Sequence, residues 1–210
     1  KAGQKIKFYI LEVKKTNKGP QIVVSRSHPG LVKRLFEEEV PEIYEGIVQI
    51  KSVAREAGSR TKMAVRSIDE KIDPIGACVG PKGLRVKNIV DELGDEKIDI
   101  IKYSEDPAEF ISAALSPSKV VRVDIDEDEK SALVIVPDYQ LSLAIGKEGQ
   151  NARLAAKLTN WKIDIKSESQ AEQEMLNLEN SKEIEAEDVE AEFIDQEELD
   201  TSEDNFSEEE

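Results

Sequence analysis

Two short tetrads bounded by glycine are the residues of this chain best suited to chemistry. Gly80-Pro81-Lys82-Gly83 and Gly146-Lys147-Glu148-Gly149 each follow an aliphatic residue and precede an apolar, helix-forming run. A tetrad between two helices places free backbone N–H groups beside a helix N-terminus, where a phosphate group is stabilised. Glycines at both ends remove the Cβ atoms that would hold a sugar-phosphate chain away from the backbone. The pattern therefore predicts two loops that bind a phosphate backbone.

The tetrads belong to a repeated module. Their first glycines are 66 residues apart, and the sequence Lys-Ile-Asp-Ile recurs at 97–100 and 162–165, 65 residues apart. A glycine-rich turn between helices would account for one tetrad. Two tetrads with matched flanking residues indicate a duplicated unit instead.

Charge around the tetrads favours a single nucleic acid strand. Such a strand would cross each loop with its bases turned toward an apolar groove, whose predicted floor is Ile75, Val79, Leu141 and Ile145. The residues predicted to contact RNA are Gly80, Pro81, Lys82, Gly83, Arg85, Lys87, Gly146, Lys147, Glu148, Gly149, Asn151 and Arg153. Glu148 places a carboxylate beside the expected phosphate path, which would weaken the second loop or select one course of the strand.

Periodicity and turn residues predict the same order of elements around each tetrad: helix, two strands, short helix, tetrad, helix and strand. A hairpin precedes the first helix, which is predicted to run from Pro29 to Gly46. Asp73, Asp106 and Asp138 are predicted helix N-caps. The predicted domains are a partial β-barrel (1–27), a first repeat (28–104), a second repeat (105–166) and an acidic tail (167–210).

Charge divides the chain unevenly. Residues 1–104 carry a net charge of +5, residues 105–166 carry −3 and residues 167–210 carry −18. The acidic segment is too poor in apolar residues to offset its ordering entropy, so we expect it to be disordered. We also hypothesise that it competes with RNA for the basic first repeat.

Other residues give little sign of catalysis. The chain has one cysteine, Cys78, and one histidine, His28, so it offers no metal-ligand cluster and no internal disulfide. Cys78 and Trp161 are predicted to be core side chains. The spacing around the first tetrad does not match the phosphate loop of NTPases. We therefore expect no catalytic residue, no metal and no cofactor, and no apolar run is long enough to span a membrane.

The two repeats resemble KH domains, whose GXXG loop clamps a short backbone segment of single-stranded RNA. GPKGLRVKNIVDELGDEKIDI, then LAIGKEGQNARLAAKL and WKIDI, resemble in tandem the paired KH domains of the NusA family of bacterial transcription termination/antitermination factors. The hairpin with VVSRS resembles the last strands of the S1-type (OB-type) barrel that precedes the KH pair in that family. The resemblance covers about residues 5–166.

This resemblance implies an α+β fold: two tandem bacterial-type (type II) KH domains between the last strands of an OB-type barrel and a disordered acidic tail. It implies a non-enzymatic elongation factor that binds nascent RNA and modulates RNA polymerase pausing, termination and antitermination. We expect a cytoplasmic location because the sequence has neither a membrane span nor a signal peptide pattern. Other Nus factors are further expected partners. The family's polymerase-binding domain has no counterpart in the sequence, so polymerase contact is not assigned to any residue here.

Two alternatives stay open on the sequence. In the first alternative, the chain is the RNA-binding part of an RNA-processing or ribosome-associated protein. In the second, it is a KH-like scaffold that binds protein. In polynucleotide phosphorylase a single KH domain precedes the barrel, which is the reverse of the order here. The basic first repeat and the lysines of both tetrads favour nucleic acid, because phosphate contacts supply most non-specific affinity.

Overall fold

A computed structural model describes Gly3 and residues 5–177 of the 210-residue chain. Residues up to Lys166 form one compact unit, and the residues from Ser167 belong to a second. In chain order the elements are β1 (Tyr9–Thr16), β2 (Gly19–Ser25), α1 (Pro29–Glu39), α2 (Pro41–Tyr44), β3 (Val48–Glu56), β4 (Arg60–Ser67), α3 (Pro74–Val79), α4 (Leu84–Leu93), β5 (Lys97–Lys102), α5 (Pro107–Ala114), β6 (Arg122–Asp126), β7 (Ser131–Val136), α6 (Leu141–Ile145), α7 (Gln150–Thr159) and β8 (Lys162–Ser167).

The predicted N-terminal hairpin is present. β1 and β2 pair antiparallel around a two-residue turn, with Thr16 opposite Gly19. The Tyr9 ring stacks on His28 with centroids 4.8 Å apart, which ties the hairpin to the start of α1. Other apolar side chains of the hairpin, such as Val13, are exposed. Its assignment to an S1-type barrel stays a prediction.

The first helix of the first repeat is shorter than predicted. α1 begins at Pro29, and His28 caps it by accepting a hydrogen bond at Nδ1 from the Gly30 N–H over 3.0 Å. It ends at Glu39 because Pro41 disfavours helical geometry in the preceding residue, and Val40 is extended. α2 continues after this break. The prediction of one helix to Gly46 was therefore wrong at this point.

The first repeat has a three-stranded mixed sheet. β4 is central and pairs antiparallel with β3 and parallel with β5. The parallel pairing requires a crossover, which α3, the first tetrad and α4 supply. Asp73 caps α3 as predicted, accepting hydrogen bonds from the N–H groups of Ile75 and Gly76. The tetrad is thus fixed at the turn between two helices that pack on the sheet.

The second repeat follows the same plan. α5 precedes β6 and β7, and β8 completes a sheet of order β6-β7-β8. Asp106 caps α5 as predicted, accepting from the Ala108 N–H over 2.9 Å. Asp138 does not cap α6: a 3₁₀ turn over Asp138–Gln140 intervenes, and Gln140 is the N-cap. The two repeats give the α+β fold with tandem KH topology that the sequence predicted.

The second repeat packs on the sheet of the first. Ala54, Ala64 and Ile101 of the first repeat belong to the same buried cluster as Ile111 and Leu154 of the second. Small side chains in β3 and β4 let α7 approach these strands closely. A single hydrophobic cluster therefore extends across the boundary between the repeats.

A buried lysine crosses the same boundary. Lys62 is fully buried in β4, where its Nζ donates a hydrogen bond to the Ser116 carbonyl over 2.8 Å and lies 3.2 Å from Asp99 Oδ2. Burial lowers the pKa of the Lys62 ammonium, and Asp99 opposes that shift. The hydrogen bond to Ser116 links a first-repeat strand to the chain segment after α5.

Ser167 begins the acidic segment that we expected to be disordered. Residues 168–177 are helical, and their start has a capping box: the Ser167 N–H donates to Gln170 Oε1 over 3.0 Å, and the Gln170 N–H donates to Ser167 Oγ over 3.3 Å. The expectation of disorder therefore does not apply to 168–177. The rest of the predicted tail, 178–210, lies outside the described residues. The hypothesis that the tail competes with RNA concerns mainly those residues and stays a prediction.

Candidate nucleic-acid interface

The two tetrads have nearly the same backbone conformation. Gly80 has φ 72° and ψ 176°, and Gly146 has φ 76° and ψ 171°. The third residues, Lys82 and Glu148, have φ 53° with ψ 25° and 26°. Gly83 and Gly149 follow in the left-handed region. Two different sequences thus form one loop shape.

This shape explains why glycine occupies the first position of each tetrad. A positive φ with ψ near 180° is a conformation that essentially only glycine adopts. A Cβ atom on Gly80 would lie 2.6 Å from Arg85 Cγ, and one on Gly146 would lie 2.9 Å from both Cβ and N of Asn151. The first glycines therefore serve packing as well as access to the backbone.

The helices after the tetrads begin at the loop without a side-chain cap, and the N–H groups of their first residues, Leu84 and Gln150, donate to the carbonyls of Pro81 and Lys147. α4 and α7 are each ten residues long, and no side chain caps either at Gly83 or Gly149. The dipole of each helix adds positive potential at this end. Successive N–H groups near left-handed residues also form concave anion sites. Each loop therefore lies at a site of positive potential that attracts a phosphate group.

Arg85 and Asn151, both predicted RNA contacts, lie behind the loops. Each is five residues after the first glycine of its tetrad. Arg85 Nη1 donates to the Ala77 carbonyl over 2.6 Å and lies 3.0 Å from Glu42 Oε2. Asn151 is buried, and its Nδ2 donates to the carbonyls of Leu115 and Ala144, both over 3.0 Å. These bonds hold the loop in place from the side opposite the solvent.

The lysines differ in their place within the loops. Lys82 is the third residue of its tetrad, whereas Lys147 is the second, so Lys82 corresponds to Glu148. The side chains of Lys82, Lys147 and Glu148 are exposed, and so is that of Lys87 on α4. The first loop therefore presents a positive charge where the second presents a negative one, on the same backbone.

Arg153 lies beside the second tetrad and contacts the first repeat. Its Nη1 donates to the Glu148 carbonyl over 3.0 Å, and its Nε donates to Glu56 Oε1 over 2.7 Å. The Arg153 side chain is 46% exposed. The hydrogen bond from Arg153 is the main cause that lowers the pKa of Glu56, and a bond from Gln150 adds to it. Glu56 was not identified from the sequence, because no local pattern links it to a loop some ninety residues away.

Apolar side chains flank both loops. Of the predicted floor, Ile75 and Leu141 are half-buried and pack against the two cores, and Val79 is half-buried. Ile145 is exposed. Two leucines that were not predicted from the sequence, Leu84 and Leu143, are 59% and 44% exposed beside the first and second loops. They present apolar surface on which bases could pack.

Cys78 is buried in the core, as predicted, whereas Trp161 is half-buried at its edge. Burial raises the pKa of the Cys78 thiol to about 12, so this side chain is neutral at physiological pH. Trp161 packs against the buried cluster of the second repeat. Neither side chain belongs to the loop surface.

The sequence matches two family models in tandem. A model described as NusA-like first KH domain matches residues 26–103, and one described as NusA-like second KH domain matches residues 107–173. No helix among the described residues combines the length and apolar character that a membrane span needs.

Curated relatives agree with these matches. The chain is 68% identical over 169 residues to the transcription termination/antitermination protein NusA of Halalkalibacterium halodurans, which covers 80% of this chain and 44% of that protein. It is 68% identical over 171 residues to NusA of Bacillus subtilis, with 81% and 46% covered. It is 53% identical over 161 residues to NusA of Thermus thermophilus, with 77% and 42% covered. The chain spans less than half the length of these relatives.

Proposed function

Because the chain belongs to the NusA family of transcription termination/antitermination proteins, we propose that it binds single-stranded nascent RNA through its two GXXG loops. Through this binding it modulates RNA polymerase pausing, termination and antitermination in the cytoplasm. RNA polymerase itself and other Nus factors are the protein partners of this proposal, and no described residue is assigned to them.

The observation that carries the proposal is the shared loop conformation. Two tetrads of different sequence keep the same strained dihedral angles, and each opens onto the uncapped N-terminus of a ten-residue helix. Strained backbone of this kind concentrates at ligand clamps. A KH module uses such a loop to hold the backbone of about four nucleotides.

The residues around the two loops have different roles in this proposal. The positive N-terminal ends of α4 and α7 attract phosphate groups, and Lys82, Lys87 and Lys147 add positive charge. Arg85 and Asn151 hold the loops in shape. Glu148 disfavours a phosphate at the place where Lys82 attracts one, so the strand takes a different course across the second loop.

Fluorescence anisotropy of a labelled single-stranded RNA tests the proposal. We compare the full chain with P81D/K82D and with K147D/E148D. Each variant should weaken binding about tenfold and flatten the plot of log affinity against log salt by about 0.7 for each phosphate that the variant no longer neutralises. The control matched to K147D/E148D is E129D/K130D, which also changes one lysine and one glutamate to aspartate but lies in the β6–β7 turn. This control should leave RNA binding unchanged.

Circular dichroism confirms that each variant is folded. If the folded tetrad variants bind RNA as well as the control does, the loops are not the RNA site. The repeats would then be a protein-binding scaffold, or another surface would bind RNA.

A further inference from the structure

We propose that Glu56, a residue of the first repeat, is a positioning residue for the second GXXG loop, so that the second RNA site is completed by the neighbouring repeat. This inference rests on the proposed RNA-binding function of that loop. Glu56 would not contact RNA. It would fix Arg153 and the first turn of α7 in the geometry that receives phosphate.

Both carboxylate oxygens of Glu56 contact α7. Oε1 accepts from Arg153 Nε over 2.7 Å, and Oε2 accepts from Gln150 Nε2 over 2.8 Å. Gln150 Nε2 also donates to Ser59 Oγ over 2.8 Å. Arg153 in turn donates to the carbonyl of Glu148 inside the tetrad. A continuous chain of hydrogen bonds therefore runs from the first repeat into the second loop.

The position of Glu56 is itself fixed. It ends β3 and pairs with Arg60 across the hairpin. At the tip of this hairpin the Gly58 N–H donates to Glu96 Oε2 over 2.8 Å, and Arg55 makes a two-point ion pair with the same buried carboxylate, at 2.8 and 2.9 Å. The tip is thus anchored to the core of the first repeat, and Glu56 is a rigid support.

The first loop is supported differently. The residues that correspond to Gln150 and Arg153 are Leu84 and Lys87, one and four positions after the tetrad, and both are exposed. The brace of this loop is Arg85, held by Glu42 of the same repeat. Each loop therefore has an arginine–glutamate brace, but only the second takes its glutamate from the other repeat.

This arrangement bears on RNA binding through preorganisation. A guanidinium has five N–H donors, so the bonds to Glu56 and Glu148 leave donors available for a phosphate oxygen. An arginine already held in place loses less side-chain freedom when it binds. Release of Arg153 should therefore lower the RNA affinity of the second loop about fivefold and leave the RNA affinity of the first loop unchanged.

The test is a double dissociation in the full chain. E56Q is introduced into P81D/K82D, in which only the second loop is intact, and into K147D/E148D, in which only the first is intact. We expect E56Q to weaken binding of a single-stranded RNA about fivefold in the first background and not in the second. The matched variant E42Q should weaken RNA binding in K147D/E148D and not in P81D/K82D, because Glu42 holds Arg85 behind the first loop.

Two results would overturn the inference. An equal effect of E56Q in both backgrounds, or none in either, would mean that it does not support the second loop. Tighter binding by E56Q would mean that Glu56 competes with phosphate for Arg153 instead of positioning it.

Amide hydrogen exchange without RNA separates this inference from the proposed function. E56Q should speed exchange at 147–149 and not at 82–83, whereas E42Q should speed exchange at 82–83 and not at 147–149. If the loops bind no RNA, the proposed function fails while this exchange pattern still decides whether the brace exists. Unchanged exchange at both loops in both variants would reject the brace.

Discussion

The first glycine of each tetrad is more constrained than the last. Gly146 has no room for a Cβ atom, because Cβ and N of Asn151 would lie 2.9 Å away, whereas the nearest atom to a Cβ on Gly149 is Arg153 Nη1 at 3.9 Å. Both glycines have positive φ, but only Gly146 also has the extended ψ that other residues avoid.

We expect G146A to destabilise the protein by about 3 kcal/mol and G149A by about 1 kcal/mol. The difference arises because a methyl group at Gly146 must displace the backbone of α7, whereas one at Gly149 meets no close atom. Urea denaturation of the two variants measures both values. Equal losses would contradict the packing role given to the first glycine.

Glu96 anchors the hairpin tip, and it should also make stability depend on pH. Burial raises the pKa of its carboxyl, but hydrogen bonds from Arg55, Thr61 and the Gly58 N–H outweigh burial and hold it below the ordinary value of 4.5. The stabilisation from Glu96 is therefore present above that value and is lost as the pH falls through the lowered pKa.

E96Q should cost about 3 kcal/mol at pH 7, because Arg55 stays buried without its carboxylate. Urea denaturation of wild type and E96Q at pH 7 and pH 3.5 checks this, and the difference between them should shrink at the lower pH. A difference of the same size at both pH values would mean that the charge of Glu96 does not stabilise the fold.

Residue types alone predicted the loops but not the direction of every side chain. The glycine spacing located both tetrads, and the exposure of Lys82 and Lys147 agrees with the predicted surface. Arg85 and Asn151 were predicted with them as RNA contacts. Asn151 is buried and Arg85 is half-buried because each packs against the first glycine of its tetrad, five residues earlier, which composition does not reveal.

At the scale of elements, Asn151 joins three segments of the second repeat. It lies in α7, and its amide donates to Ala144 of α6 and to Leu115 at the end of α5. Both carbonyls are at helix ends, where no intrahelical donor remains. The side chain therefore ties α7 to the C-terminal ends of α5 and α6, and the Leu115 carbonyl also accepts from Ser118.

We expect N151A to destabilise the protein by about 2 kcal/mol, because it removes the hydrogen bonds from the buried Asn151 amide to the Leu115 and Ala144 carbonyls. The control is N88A, since Asn88 is exposed on α4 and makes one long bond to Glu39 over 3.3 Å; it should cost less than about 0.5 kcal/mol. Thermal and urea denaturation provide the comparison. Equal effects would contradict the joining role of Asn151.

Helix starts with an Asp-Pro pair could be predicted from sequence, because both the cap and the proline favour one position. Asp73 and Asp106 were correct for this reason. Asp138 follows a proline instead, and the chain makes a 3₁₀ turn before α6 begins. The capping box of Ser167 and Gln170 was visible in the sequence, but the acidic composition after it concealed the helix.

At the scale of the whole compact unit, the two repeats share one hydrophobic cluster. Ala54 and Ala64 of the first repeat pack with the core of the second, and Lys62 donates to Ser116 across the boundary. The duplication predicted two repeats of equal plan. It could not predict that α7 of the second repeat packs on the sheet of the first. Both faces of β4 are buried, so its sequence does not alternate between apolar and polar residues in a way that would reveal an outer face.

The shared cluster should make the repeats unfold together. Trp161 fluorescence reports the second repeat, whereas far-ultraviolet circular dichroism reports both. We expect the two signals to give the same midpoint in urea, as they do in a two-state transition. Separate midpoints would mean that the interface contributes little to stability.

The most direct test of RNA binding by the two loops is to map where RNA contacts the full chain. A single-stranded RNA containing 4-thiouridine is photo-crosslinked to the protein, and the crosslinked peptides are identified by mass spectrometry. We expect crosslinks within 79–87 and 143–153, the two loops and their flanking residues. Crosslinks confined to other segments, with both loops unlabelled under saturating RNA, would contradict RNA binding by the loops.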